Sequence, residues 1–379
     1  MANIKRILIC FFLMASLVSC KNNQKSAEEF TEPVYTPAYA SGFSIKGAEG
    51  KRSVIISVTN PWQGADSVAF NLLIQRNNEE IPLGFSGQVL KDKASRLVVM
   101  SSTHIAMVDA LSNIDKIVGV SGIDFISNSY INKNKDKIAD VGFDGNVNYE
   151  ALLAANPDMV LLYGVTGASQ MEAKLKELKV PYLYIGDYME ESPLGKAEWM
   201  VPIAEILGDR KMGEDVFNKL CPKYNDLKEK VGSAVMEKPL VMLNTPYGEN
   251  WFMPSRNSYM IQLIEDAGGE YIYKDNDTSS SVPIDIEEAY MLTNKADVWI
   301  NTGRLNTLSE LEVACPKFMD ANCVKAGNVF NNNLRSTAEG GNDFYESAIV
   351  NPHLVLQDLI KIFHPEMMDS VEFTYYKPL

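Results

Sequence analysis

Residues 97–120 read LVVMSSTHIAMVDALSNIDKIVGV, and this stretch decides the fold. Leu97 to Met100 is a short apolar run ended by the polar cluster Ser101-Ser102-Thr103-His104. Apolar residues then recur at helical spacing, at Ile105, Val108, Leu111 and Ile114, before a second apolar run at Ile117 to Val120. Strand, polar turn, amphipathic helix and strand together form the repeating unit of a parallel, helix-covered sheet. The pattern continues downstream with a helix at 150–155, a strand at Met159 to Tyr163, a helix at 170–179 and a strand at Val180 to Ile185.

A long helical stretch follows, with Val216, Leu220, Tyr224, Leu227 and Val231 at helical spacing. Pro222 lies inside it and predicts a kink or a break. A second α/β series opens at Leu240. Its helix at 258–267 stops at Gly268-Gly269, strands follow at 297–301 and 328–331, and a last helix covers Pro352 to Phe363. The expected fold is α/β, with two α/β lobes joined by a single long connecting helix. The lobes are read as 96–195 and 237–379, and the helix as 196–236. Ahead of them, short strands and the hairpin signal Gly47-Ala-Glu-Gly50 make 43–95 an accessory β segment. Residues 20–42, polar and carrying Pro33 and Pro37, read as a tether.

The first 19 residues read as a signal peptide. Lys5 and Arg6 precede an apolar run from Ile7 to Leu17, too short to span a bilayer stably. The box Leu17-Val18-Ser19-Cys20 resembles the bacterial lipoprotein signal, which implies that Cys20 becomes an acylated N-terminus. The tail after Cys20 has no acidic run, so a periplasm-facing anchor is expected, with surface exposure as the alternative. The formal charge is −14, and loss of Lys5 and Arg6 with the signal takes it to −16, which argues against nucleic acid as a partner. A mature chain of about 360 residues fits two domains of ordinary size.

Little in the composition points to chemistry. Beyond Cys10 and Cys20 the cysteines are Cys221, Cys315 and Cys323. Cys315 and Cys323 are close enough in sequence to form a disulfide or to remain free thiols. Three histidines without clustered spacing leave no transition-metal site, and no resident cofactor is expected. Phosphate-loop, dinucleotide and nucleophile-elbow motifs are absent from the sequence. Ser102 and His104, two residues apart, lack the geometry and orienting acid of a catalytic pair, so no enzyme activity is expected. They lie where an α/β sheet places ligands, after a strand and at a helix start, where a plain N-cap is the alternative.

Three segments are distinctive in combination: DVGFDGNVNYEALLAANPDMV at 140–160, PLGKAEW at 193–199, and NDFY at 342–345 running on to DLIKIFHPE at 358–366. Together they resemble the class III periplasmic binding proteins, which deliver ferric siderophores, haem or cobalamin to ABC transporters. The resemblance covers about 96–366. It implies a monomer that binds ligand between two lobes and docks on a permease driven by its ATPase. The docking residues it implies are one exposed Glu per lobe, matched here by Glu150 and Glu287. An acid in a first helical turn is also favoured by the helix dipole alone.

The resemblance implies a cleft lined by loops after the strands: Ser102, Thr103 and His104, Phe143 and Tyr163 in the first lobe. In the second lobe the candidates are Tyr247, Trp251, Arg256, Arg304, Arg335, Asn342 and Tyr345. Arginine suits an anionic ligand and the aromatics offer flat apolar area, with surface Arg and core aromatic as alternatives. His104 is read either as an iron ligand for haem or as a structural residue, and Trp199 as core. A ferric chelate is the expected cargo, with cobalamin and haem as alternatives, because ligands for a bare ion are missing. Two other classes stay open: an exported enzyme on a two-lobed scaffold, and a capture lipoprotein that works through 43–95.

Overall fold

The computed structural model describes residues 29–235 and 237–379. The signal peptide and Cys20, with its expected lipidation, lie outside the described residues. In the first lobe β6 (Leu97–Val99), β7 (Ile117–Val120), β8 (Ala139–Asp140), β11 (Met159–Leu162) and β12 (Tyr182–Tyr184) form a parallel sheet ordered β12-β11-β6-β7-β8. The strands are apolar because helices cover them, including α1 (Ser102–Ala110), α2 (Ser129–Lys133), α3 (Tyr149–Ala155) and α4 (Met171–Leu178). A two-stranded hairpin, β9 (Gly142–Phe143) with β10 (Asn146–Val147), sits beside the sheet.

The second lobe repeats the plan. Strands β13 (Leu240–Leu243), β15 (Glu270–Tyr271), β17 (Val298–Ile300) and β18 (Val329–Asn331) are parallel, and β19 (Lys377–Pro378) joins the edge antiparallel, in the order β15-β13-β17-β18-β19. Strands β14 (Asn250–Met253) and β16 (Val282–Asp285) form a separate hairpin. The helices are α8 (Tyr259–Asp266), α9 (Ile286–Lys295), α10 (Leu308–Ala314), α11 (Asn322–Lys325) and α12 (Pro352–Phe363).

A long helix joins the lobes, as expected, but it starts later than residue 196 and two short helices precede it. The connection consists of α5 (Pro193–Glu198), α6 (Met200–Ile206) and the long α7 (Arg210–Ala234). The break is chemical: Gly208 adopts φ +87°, a left-handed stop, and the Asp209 side chain then caps α7 by accepting from Met212 N. The break expected at Pro222 does not occur. Pro222 and Asn218, whose carbonyl loses its partner, are both exposed, so that carbonyl is open to solvent.

The accessory segment is a five-stranded sheet, β1 (Glu32–Tyr35), β2 (Phe43–Gly47), β3 (Val54–Thr59), β4 (Ala69–Gln75) and β5 (Gln88–Lys91), paired in chain order. Alternation along β3 and β4 sorts its side chains to two faces. Ile56, Val58, Leu72 and Ile74 join the main core with Leu97, Trp199 and Met200. Ile55 and Leu73 face a small satellite core with Phe30 and Ala48.

The stretch expected as a free tether is structured from Glu32 onward. Residues 35–42 form a strap over α5, held by two buried carboxylates. Glu198 accepts from Tyr35 Oη at 2.6 Å and from the backbone N–H groups of Ala38, Tyr39 and Ala40, each at 2.7 Å. Glu190 accepts from Ser41 N and Gly42 N at 3.0 Å and from Trp199 Nε1 at 2.9 Å. At the far end of β4, the buried Glu205 binds Arg76 at 2.8 Å and Arg210 at 2.9 Å, tying the sheet to α6 and α7. Cys315 and Cys323 are free buried thiols. Among the described residues no helix is long and apolar enough to cross a membrane.

Candidate functional site

The carboxyl ends of both sheets point into one inter-lobe cleft, the place where open α/β sheets bind ligands. Two adjoining chambers fill it. The inner one, about 340 Å³, takes its first-lobe wall from Ser101 and Thr103 after β6, Tyr163 and Val165 after β11, and the 187–196 segment after β12. Tyr259 and Leu263 of α8, Phe344 and Tyr345, and Ala348 to Val355 close it from the second lobe. The outer one, about 320 Å³, is more polar. It is lined by Asn244 and Asn301 at the ends of β13 and β17, by Asn257 and by Ser279 to Ser281. Asn244 (φ 71°) and Asn301 (φ 59°) turn the chain in the left-handed region, which asparagine tolerates.

A buried ion pair forms the floor of the inner chamber. Lys196 Nζ donates to the Asp187 backbone carbonyl at 2.6 Å, lies 3.8 Å from Asp187 Oδ2 and sits 4.7 Å over the Tyr259 ring. Burial alone would raise the Asp187 carboxyl, but His104, Lys196 and Thr103 outweigh it and hold it below its usual range. Burial also lowers the Lys196 ammonium, and Asp187 and Glu190 partly restore it. Burial pushes the Tyr259 phenol above its usual range. The floor is therefore electroneutral as a pair, and the walls around it are aromatic.

The candidates from sequence divide into three groups. Thr103, Tyr163 and Tyr345 line the inner chamber. Ser102 and Asn342 support it: Ser102 Oγ donates to the Tyr345 carbonyl across the lobes at 3.0 Å, and Asn342 caps Phe344 N at 3.0 Å. His104 is fully buried behind the wall, its Nε2 3.7 Å from Asp187 Oδ1, with no hydrogen-bond partner for either ring nitrogen among the described residues.

The third group lies outside both chambers. Trp251 is a core residue, 5.5 Å from the Trp299 ring and 5.2 Å from Phe318, and its indole donates to the Leu243 carbonyl. Arg256 pairs with Asp277 on the surface and Arg304 is exposed. Arg335 binds Asp343 at 3.0 Å and faces a different inter-lobe cavity of about 660 Å³ beside α7, shared with Lys219, Lys223 and Glu346. That cavity is larger, but it does not face the strand ends of either sheet. Phe143 (beside Phe125, 6.2 Å) and Tyr247 are exposed and line neither chamber.

Sequence reasoning missed Asp187, Tyr188, Lys196, Tyr259 and Gln63. Lys196 stands inside the quoted segment PLGKAEW, yet a helical lysine ordinarily signals a solvated face.

Further contacts draw the lobes together. Ser127 N donates to Glu346 Oε2 at 2.8 Å. The 337–341 loop approaches Phe125 so closely that a side chain at Gly341 would meet the Phe125 carbonyl at 2.5 Å. Glu150 and Glu287 occupy matching places on the two lobes. Each is the exposed second residue of a helix, α3 capped by Asn148 and α9 capped by Asp285, and each helix leads into an interior strand of its sheet, β11 or β17.

The family model described as periplasmic binding protein matches residues 97–330. A lipoprotein of Methanocaldococcus jannaschii, itself uncharacterized, is 27% identical over 336 residues, covering 82% of this chain and 78% of that protein. The crystal structure of a periplasmic heme binding protein from Pseudomonas aeruginosa superposes with a TM-score of 0.55 at 18% identity, covering 76% of this chain and 95% of that one. An Fe3+-Desferal-bound siderophore binding protein from Vibrio cholerae gives 0.53 at 16% identity, covering 71% and 99%. With two parallel-sheet lobes, a long joining helix and a family match over most of its length, this chain belongs to the periplasmic binding protein family.

Proposed function

We propose that this protein is the substrate-binding component of an ABC importer, capturing a ferric chelate between its lobes and delivering it to the permease. The observation that carries the reading is the inner chamber, where tyrosine and phenylalanine faces surround one buried lysine. Such walls suit a flat, largely apolar ligand. Among the described residues no group of three or more His, Cys, Asp or Glu is placed to hold a metal ion, so iron would arrive already chelated. With Arg256, Arg304 and Arg335 outside the chambers, Lys196 is the cation inside, and Asp187 already balances it. A chelate of small net charge fits best.

Haem is a second reading, favoured by Tyr188 and Tyr345, half-exposed phenols at the mouth, since a phenol oxygen serves as an axial ligand in some haem proteins. Glu150 and Glu287 dock the loaded protein on arginines of the permease, and charge pairs of this kind fix orientation and speed encounter. Acylation at Cys20 holds a monomer at the periplasmic face of a membrane and raises its effective concentration at the transporter.

The test is titration of the purified mature protein with ferric hydroxamate and catecholate chelates, haem and cobalamin, read by visible spectra and tyrosine fluorescence. A ferric chelate is expected to bind at micromolar concentration or below, and Lys196→Met or Tyr259→Ala to weaken it at least tenfold. Failure of every chelate, haem and cobalamin to bind would overturn the importer reading.

A further inference from the structure

We infer that the accessory β domain is a third wall of the ligand cleft, in which Gln63 clasps the two lobes across its mouth. This builds on the cleft assignment above. It does not depend on which ligand occupies the cleft.

The loop after β3 reaches out of the accessory sheet and docks on the turn after β11. Trp62 fixes the position. Its ring lies 5.2 Å from Tyr184 and 5.8 Å from Phe70, and it packs so tightly on Gly164 that a side chain there would meet Trp62 at 2.9 Å. The next residue is pinned by its backbone, Gln63 N donating to the Val165 carbonyl at 2.9 Å. Val165 is itself a wall of the inner chamber.

From this fixed base the Gln63 amide enters the outer chamber. Its Nε2 donates to Tyr188 Oη of the first lobe at 3.3 Å and to the Ser279 carbonyl of the second at 3.5 Å. One side chain thus holds a group from each lobe, and it comes from neither. Residue 63 also precedes the 97–330 region that matches the family model. The bonds are long and exposed, which suits a contact that opens and recloses as ligand enters and leaves.

The test is hydrogen exchange on the ligand-free mature protein, comparing wild type with Gln63→Ala and Gln63→Glu. The glutamate is nearly isosteric but sets an acceptor against the Ser279 carbonyl. Both variants are expected to exchange about 2- to 3-fold faster at amides 278–282, the weak end of the range for losing one hydrogen bond, as bonds of 3.3 and 3.5 Å imply. Exchange within β2 to β4 should stay unchanged, showing that the accessory sheet remains folded. Unchanged exchange at 278–282 in both variants would overturn the clasp. Failure of every chelate, haem and cobalamin to bind would sink the importer reading alone, because the exchange measurement uses no ligand.

Discussion

Replacing Glu198 by alanine is the sharpest test of how the N-terminus is built in. The carboxylate is fully buried and accepts four hydrogen bonds, from Tyr35 Oη, Ala38 N, Tyr39 N and Ala40 N, at 2.6–2.7 Å. Burial and the carboxylate together push the Tyr35 phenol above its usual range, so it stays a donor. A hydrogen bond to a charged group contributes about 1.5–3 kcal/mol, and four such bonds would sum to about 6–12 kcal/mol. That sum overstates the loss, because a released strap finds water for its N–H groups. The expected cost of Glu198→Ala is about 3–5 kcal/mol, the range for breaking one side of a buried charged contact. Tyr35→Phe removes a single donor to that carboxylate and should cost about 1.5–3 kcal/mol. Tyr35→Phe combined with Glu198→Ala should cost no more than Glu198→Ala alone, since both act through one carboxylate. Urea unfolding of the mature protein followed by tryptophan fluorescence measures all three, because Trp199 is the next residue. Limited proteolysis at 36–42 reports strap release directly. A loss below about 1 kcal/mol with 36–42 still protected would refute the argument.

Two further outcomes follow from the lobes. Burial raises the Glu346 carboxyl to about 7 against an ordinary 4.5, so its contribution to stability is complete below about pH 4.5 and is lost as pH rises through 7. The melting temperature of wild type should therefore fall more between pH 5 and pH 8 than that of Glu346→Gln, and equal slopes would contradict the assignment. Glu150→Arg together with Glu287→Arg should abolish uptake of the bound chelate in cells while leaving its Kd within about twofold, as expected of rim charges. Uptake at the wild-type rate would remove both residues from docking.

The lobes were legible because short apolar strands alternate with amphipathic helices, and that alternation reflects burial on both sheet faces. The break before α7 was also written in the chain, as Gly208 followed by Asp209, but the apolar periodicity around it outweighed two residues of punctuation. The site was only half legible. Thr103, Tyr163 and Tyr345 follow from their place after strands or in a distinctive segment. Lys196 and Asp187 do not, because a charged residue looks solvated until tertiary packing buries it beside its partner. Trp251 shows the converse error: an aromatic after a strand serves the core as readily as a cleft. Gln63 had no local signal, since its role arises from a loop meeting two lobes far along the chain.

The strap also bears on the order in which the chain assembles. Its partners lie far downstream: Tyr35 and Glu198 are 163 residues apart, and Gly42 and Glu190 are 148 apart. Contacts of such long sequence separation form late, after local α/β units have closed their own loops. As the chain is made from its N-terminus, the backbone N–H groups of residues 38–42 must wait unpaired until almost the whole first lobe exists. The segment that enters the fold first in sequence is thus among the last to find its place, and its docking reports that the first lobe and α5 are complete.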